Sequence, residues 1–150
     1  MNHVRAPQPY STDAPIVFLA GSIEMGAARP WQDEVVASLA DLDVTVLNPR
    51  RQNWDPFWQQ HPDNPEFREQ VEWELDGLQR ANLILMYFDP DTKSPVSMME
   101  LGLFHGRNLI VCCPDGFWRK GNVSIVCERF GITLCRQLPE LVEAARTFLS

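Results

Sequence analysis

Basic residues are scarce in this 150-residue chain, which has 13 Lys and Arg against 20 Asp and Glu and a formal net charge of −7. A protein that binds the phosphate backbone of nucleic acid needs a basic face, so this balance argues against a nucleic-acid partner. The acidic composition instead favours an enzyme that acts on small neutral or cationic molecules.

Long apolar runs are also missing. No stretch approaches the roughly 18 apolar residues that a membrane span requires, and residues 1–15 contain no apolar core of a signal peptide. The four cysteines include the adjacent pair Cys112 and Cys113 and form no CxxC pattern, so the chain lacks a disulfide framework. These absences predict a cytoplasmic protein with reduced thiols and no membrane partner.

Motifs for metals and for nucleotide phosphates are absent as well. The three histidines, His3, His61 and His105, lack the spacing of metal ligands. The sequence GSIEMG at residues 21–26 is not GxGxxG, and the chain contains no Walker A run. We therefore expect no metal and no cofactor.

The apolar pattern that is present alternates short strands with helices. Continuous apolar runs predict strands buried on both faces, and apolar residues at helical spacing predict the helices between them. The predicted strands cover residues 16–20, 44–47, 83–88, 109–113 and 132–135, and the predicted helices cover residues 30–42, 65–81, 95–104, 122–130 and 138–149. This alternation implies an α/β fold, a Rossmann-like or flavodoxin-like three-layer sandwich with a five-stranded, mainly parallel sheet.

Two segments lie outside this alternation. Residues 1–15 are polar and rich in proline, and we predict a flexible N-terminal arm that precedes one domain over residues 16–150. Residues 48–65 contain four prolines and three aromatic side chains, which predicts an irregular but ordered loop. Trp54 and Trp58 in this loop suit either stacking on a base or anchoring a subunit interface.

Ligands of such sheets bind beyond the carboxyl ends of the strands, which directs attention to the turns found there. Gly21 and Ser22 follow the first predicted strand. A glycine at this place lets a ligand approach the backbone, and a serine donates a hydrogen bond. The same pair also fits a plain turn between a strand and a helix.

Glu100 is the most informative residue for chemistry. It lies in the predicted helix of residues 95–104 among methionine and leucine side chains. A carboxylate buried in such surroundings is costly, and a covalent nucleophile or general base requires this kind of placement. The alternative is that Glu100 lies on a solvent-facing stripe of the helix.

Glu74 and Asp76 lie in the helix that precedes the third predicted strand. Together with Glu72 they form an acidic cluster, for which a solvated face is the usual explanation. Glu74 also follows Trp73, and a tryptophan beside a carboxylate can form the wall of a sugar or base site.

Several short motifs lie along the predicted strands and helices: FLAGSI at residues 18–23, LQRA at 78–81, the segment 94–102 with its Glu-Leu-Gly, and GNV at 121–123. In their order and spacing, over residues 16–135, they resemble the nucleoside 2-deoxyribosyltransferase family. The resemblance implies a flavodoxin-like fold and a nucleoside 2-deoxyribosyltransferase-like domain over residues 16–150. It also implies cleavage of the N-glycosidic bond of a (2′-deoxy)nucleoside, with transfer of the sugar to another base. Hydrolysis of a nucleoside or nucleotide is one alternative, and a non-catalytic nucleoside- or nucleotide-binding module is the other.

The resemblance also implies the catalytic residues. Glu100 matches a glutamate that forms a glycosyl ester, as in the retaining glycosidase scheme. Glu74 stands where the family has an aspartate that handles the proton of the base, and Asp76 is the substitute acid. Phe18 stands where the family has a tyrosine that orients the glutamate, although phenylalanine has no hydroxyl to donate.

The implied substrate contacts involve two further positions. Ser94 stands where the transferases have an aspartate for the sugar 5′-hydroxyl and where a related monophosphate hydrolase has a serine, so that with Ser22 and Ser97 it suits a phosphate. Asn122 matches an asparagine that a neighbouring subunit lends to the sugar. The implied protein is a homodimer or higher homo-oligomer with shared sites, whose partners are a small-molecule nucleoside or nucleotide and a nucleobase.

Overall fold

The computed structural model describes residues 1–24 and 28–150. Within these residues, strands and helices alternate along most of the chain. The strands are β1 (Asn2–Arg5), β2 (Ile16–Gly21), β3 (Thr45–Asn48), β4 (Leu83–Tyr87), β5 (Leu109–Cys112) and β6 (Thr133–Cys135). The helices are α1 (Trp31–Ser38), α2 (Pro65–Arg80), α3 (Pro95–Leu103), α4 (Lys120–Phe130) and α5 (Leu138–Leu149).

All six strands form one parallel sheet in the order β1-β3-β2-β4-β5-β6. Without β1, this is the strand order of the flavodoxin-like fold, in which the chain reverses direction across the sheet between β2 and β4. The predicted α/β flavodoxin-like sandwich is confirmed, but the predicted number of five strands is wrong.

The sixth strand comes from the segment predicted to be a flexible arm. β1 pairs with β3 along the outer edge of the sheet, with Val4 opposite Leu47. Of the four residues in β1, Val4 is the buried one. A strand with a single buried side chain has almost no apolar pattern, and backbone hydrogen bonds to β3 hold it in place instead. The prediction of a flexible arm is therefore wrong for Asn2–Arg5.

The central strands are buried on both faces, as their continuous apolar runs predict. One face of the sheet packs against α2, α3 and α4 through residues such as Leu78, Leu101 and Val123. The other face packs against α1 and α5 through residues such as Trp31 and Leu141. The result is a three-layer sandwich with one apolar core on each side of the sheet.

α2 shows how the sequence sets the start of a helix. Asn64 caps it, since its side-chain oxygen accepts a hydrogen bond from the backbone N–H of Phe67 at 3.0 Å. Pro65 occupies the first helical position, where its missing N–H costs nothing. The helix therefore begins directly after the irregular loop, which leaves β3 at the carboxyl edge of the sheet.

None of the helices within residues 1–24 and 28–150 has both the length and the apolar character needed to cross a membrane. All four cysteines are buried and none is in a disulfide.

Candidate functional site

A cavity of about 350 Å³ opens at the carboxyl edge of the sheet, beside the point where the strand order reverses. This volume lies within the range of roughly 300–1,000 Å³ that is typical of small-molecule sites. Its wall is formed by the turn after β2, the loop after β3, one face of α2 and the first two turns of α3. Open α/β sheets bind their ligands at this place.

Glu100 projects from α3 into the wall of this cavity and is only 6% exposed. The buried face of α3 carries Ser97, Glu100 and Leu101. Its exposed face is apolar, because Val96, Met99 and Leu103 lie there. The helix thus buries its carboxylate and exposes methionine, valine and leucine, so the alternative of a solvent-facing Glu100 is wrong.

Glu74 reaches the same cavity from α2 and is half-buried. Burial raises the pKa of Glu74 well above its usual value, the charge of Glu100 raises it further, and a hydrogen bond with Gln70 opposes both effects. Burial raises the pKa of Glu100 to about 7. Two carboxyl groups in one cavity resist being ionised together, so near neutral pH this pair favours retaining a proton.

The loop after β3 supplies an aromatic and basic wall. Trp54 packs edge-on against Trp58 with ring centroids 5.1 Å apart, and the guanidinium carbon of Arg51 lies 4.9 Å from the centroid of the Trp58 ring. The amide nitrogen of Gln70 on α2 donates to the carbonyl oxygen of Pro49 at 2.8 Å. These contacts order the loop against the cavity, where Arg51, Trp54 and Gln70 all form part of the lining.

Gly21 lines the cavity and has a φ of +131°. A Cβ atom at this position would lie 2.3 Å from the carbonyl oxygen and 2.7 Å from the amide nitrogen of Tyr87. The close approach of β2 to the end of β4 therefore requires glycine at this turn. The residue serves the structure of the turn and the wall of the cavity at once.

Three hydroxyl groups close the turn between β4 and α3. The side-chain oxygens of Ser22 and Ser94 are 2.5 Å apart, and Thr92 lies 2.7 Å from Ser94 and 3.0 Å from Ser22. The Glu24 carboxylate accepts a hydrogen bond from the backbone N–H of Ser94 at 2.7 Å. Ser94 lines the cavity, whereas Ser22 is 1% exposed and supports Ser94 from behind.

Three other predicted site residues do not line the cavity. Phe18 is fully buried below α2, where an added Cβ at Gly77 would lie 2.8 Å from its ring. Asp76 is exposed, since it lies two residues after Glu74 and so about 200° around the helix. Asn122 is exposed on α4, away from the cavity of its own chain.

Sequence reasoning missed Gln70, which is 5% exposed and lines the cavity. A signal for it exists, because it lies four residues before Glu74 and therefore on the same face of the helix. The described residues contain no cluster of three or more His, Cys, Asp or Glu side chains that could hold a metal ion.

Comparison with family models matches residues 14–117 to the family described as nucleoside 2-deoxyribosyltransferase like. The matched span extends from just before β2 to the loop after β5, and it includes every residue that lines the cavity. The search of curated proteins found no match.

Proposed function

The chain belongs to the nucleoside 2-deoxyribosyltransferase-like family, and from this we propose that it cleaves the N-glycosidic bond of a (2′-deoxy)nucleoside and transfers the sugar to another base. The observation that carries the proposal is the pair Glu74 and Glu100. Two helices bring these carboxyl groups to one small cavity, and burial raises the pKa of both.

In the first half of the reaction, the ionised Glu100 carboxylate attacks C1′ of the sugar. A C1′–oxygen ester bond forms as the C1′–nitrogen bond breaks, and the bonding electrons leave with the base. Glu74, protonated because burial and the neighbouring charge raise its pKa, donates its proton to the departing nitrogen. Glu74 then carries the negative charge that Glu100 has lost to the ester.

In the second half, a second base occupies the place of the first. Glu74 takes the proton from its ring nitrogen, the nitrogen attacks C1′, and the ester bond to Glu100 breaks. Both carboxyl groups return to their starting states. Capture of the ester by water instead of a base would give hydrolysis, so the two outcomes differ only in the acceptor.

The remaining cavity residues have supporting roles in this proposal. Ser94 and the backbone at Gly21 bind the sugar, and the Trp54 side chain contacts the base. Ser97 lies three residues before Glu100 on the same buried face of α3, so it is the hydroxyl we assign to orient the carboxylate where Phe18 has none. Asn122 is exposed, which suits a role in the cavity of a second subunit of a homo-oligomer.

Replacing the proposed nucleophile tests the mechanism. Purified protein is incubated with a deoxynucleoside, with and without a second base, and the products are separated by chromatography. We expect base exchange for the unmodified protein and a loss of at least about 1,000-fold in rate for Glu100→Gln, since removal of a nucleophile disables the whole unit. Denatured samples of the unmodified protein should contain a deoxyribosyl ester on the Glu100 peptide.

The matched control is Glu72→Gln, which makes the same change at an exposed position on α2. It should leave the rate within a factor of about two, because surface changes away from a site have small effects. A Glu100→Gln variant with nearly full activity would refute the mechanism. Release of free sugar at the same rate with and without a second base would show that the reaction is hydrolysis rather than transfer.

A further inference from the structure

Four buried side-chain polar atoms in residues 1–24 and 28–150 have no hydrogen-bond partner. They are the Nε and Nη1 atoms of Arg51, the Nε1 atom of Trp54 and the Oε1 atom of Gln70. All three residues line the cavity of Glu74 and Glu100. Buried polar groups normally have hydrogen-bond partners. A cluster of unpartnered atoms around one cavity therefore points to a ligand that provides the missing partners.

Arg51 is the central member of this group. Its side chain is 6% exposed, and its Nη1 atom lies 3.7 Å from a carboxylate oxygen of Glu69, a residue that is itself 57% exposed. An ion pair with a solvated partner at this distance is weak. The guanidinium therefore stands beside the cavity with most of its hydrogen-bonding capacity unused.

The chemistry of the four atoms defines the ligand edge that would complement them. The Arg51 and Trp54 atoms can only donate, and the Gln70 oxygen can only accept. An edge with carbonyl oxygens next to a ring N–H matches this set. An edge with an exocyclic amino group would direct its own N–H donors at those of Arg51 and Trp54.

We propose that Arg51, Trp54 and Gln70 recognise the base and select oxo bases, the 6-oxopurines and 2,4-dioxopyrimidines, over their amino counterparts. The inference rests on the proposed function for the orientation of the substrate. Gln70 lies one helical turn before Glu74, so the wall adjoins the acid that we assign to the base. The four atoms are shielded in this structure, so contact with the base requires a side-chain rotation that turns them toward the cavity their residues line.

A phosphate fits this wall less well. It offers only acceptor oxygens at neutral pH and would leave the Gln70 oxygen unpaired. It would also enter a cavity lined by the carboxyl groups of Glu24, Glu74 and Glu100.

The test compares substrates that differ only in this edge. kcat/KM is measured for deoxyinosine against deoxyadenosine and for deoxyuridine against deoxycytidine. The Glu100→Gln variant is used in parallel to measure equilibrium binding of hypoxanthine against adenine by calorimetry. We expect a preference of about 10–100-fold for the oxo member of each pair, since two or more mismatched hydrogen bonds separate the members.

Two variants assign the preference to the wall. Arg51→Met keeps an unbranched apolar side chain and removes its donors, so the ratio should fall by about tenfold. Trp54→Phe keeps the aromatic contact and removes one donor, so the ratio should fall by about threefold to tenfold. The matched control is Arg68→Met, the same change at an exposed arginine of α2 outside the cavity, and it should leave the ratio unchanged.

Each result decides the question. Equal kcat/KM for oxo and amino nucleosides overturns the inference. So does an unchanged oxo-to-amino ratio in folded Arg51→Met. If Arg51→Met does not fold, the ratio measured for Trp54→Phe decides in its place. If Arg51→Met instead changes the preference between deoxynucleosides and their 5′-monophosphates, Arg51 is a phosphate ligand and the inference is overturned. An oxo preference in binding without any cleavage supports the inference and refutes only the proposed reaction, whereas neither binding nor cleavage overturns both.

Discussion

Two carboxyl groups in one small cavity set the electrostatics of the site at the scale of single residues. Glu100 is almost fully buried on a helix whose exposed side is apolar, and Glu74 faces it from a second helix. Burial makes the charged form of each group less favourable, and ionising one raises the cost of ionising the other. The pair therefore favours retaining a proton near neutral pH.

This arrangement predicts how stability depends on pH. The pKa of Glu100 is about 7 in the folded state against an ordinary value of 4.5. As pH rises from about 4.5 to 7, Glu100 ionises in the unfolded state first, so the free energy of unfolding should fall by roughly 3 kcal/mol from this group. Glu74 shifts in the same direction and adds to the fall.

Urea unfolding at several values between pH 5 and pH 8 measures this effect. Glu100→Gln should flatten the curve and be the more stable protein at pH 8, because it no longer has a carboxylate to bury. If the free energies of unfolding of the two proteins change with pH in parallel across this range, the raised pKa does not belong to Glu100.

At the scale of elements, the site depends on how closely β2 approaches the end of β4. Gly21 ends β2 next to the backbone of Tyr87, and the Ser22, Thr92 and Ser94 hydroxyls fasten the turn that follows β4. Ser94 itself has a φ of +48° as the residue before α3. The orientation of α3, and hence of Glu100, depends on this pair of turns.

We therefore expect Gly21→Ala to destabilise the protein by about 2–5 kcal/mol. The added methyl group meets the Tyr87 backbone at 2.3 Å, and the φ of +131° is strained for any side chain. The control is Gly102→Ala inside α3, where nothing lies within 4 Å of the new atom. That change should stabilise the protein by up to about 1 kcal/mol because alanine favours helix.

The denaturant midpoints of both variants measure these changes in stability. A Gly21→Ala protein as stable as the unmodified one would show that the two strands can separate at this turn without cost.

At the scale of the whole molecule, one parallel sheet separates two apolar cores. The cavity lies on the side of α2 and α3, while α1 and α5 cover the other side. Each central strand has side chains in both cores, so neither core can open without disturbing the sheet that the other one needs. We expect the chain to unfold in one cooperative step.

Leu141→Ala tests this coupling from the side opposite to the cavity. Leu141 is fully buried on α5, and its truncation should cost about 2–5 kcal/mol. Tryptophan fluorescence and far-UV circular dichroism should shift to lower denaturant together. The exposed neighbour change Glu143→Ala should stay within about 0.5 kcal/mol. Separate transitions for the two signals would mean that the layers unfold independently.

The positions of most elements could be predicted from the sequence. Runs such as LILMY at residues 83–87 indicate strands buried on both faces, and apolar residues at helical spacing indicated helices such as those at 30–42 and 65–81. β1 could not be predicted, because its pairing depends on backbone hydrogen bonds to β3 and leaves no apolar pattern of its own. The resemblance to the family, drawn from short motifs, is confirmed by the family match.

The candidate site was predictable in part. Glu100, Glu74 and Trp54 were named from the sequence, and all three line the cavity. Phe18 was named by its place in a motif, but it packs under α2 instead. Asp76 lies on the wrong face of α2, a consequence of helical geometry that the sequence already contained.

The sequence by itself determined which segments become strands and helices, with β1 as the exception, because apolar periodicity is a property of neighbouring residues. Only the tertiary structure decided the strand order, the burial of Glu100 and the meeting of Arg51, Trp54 and Gln70 around one cavity. These features depend on contacts between residues far apart in the chain, and no local pattern records which face of an element will find a partner. A carboxylate on an apolar helix is ambiguous until the packing of α2 and α3 against the sheet shows where it lies.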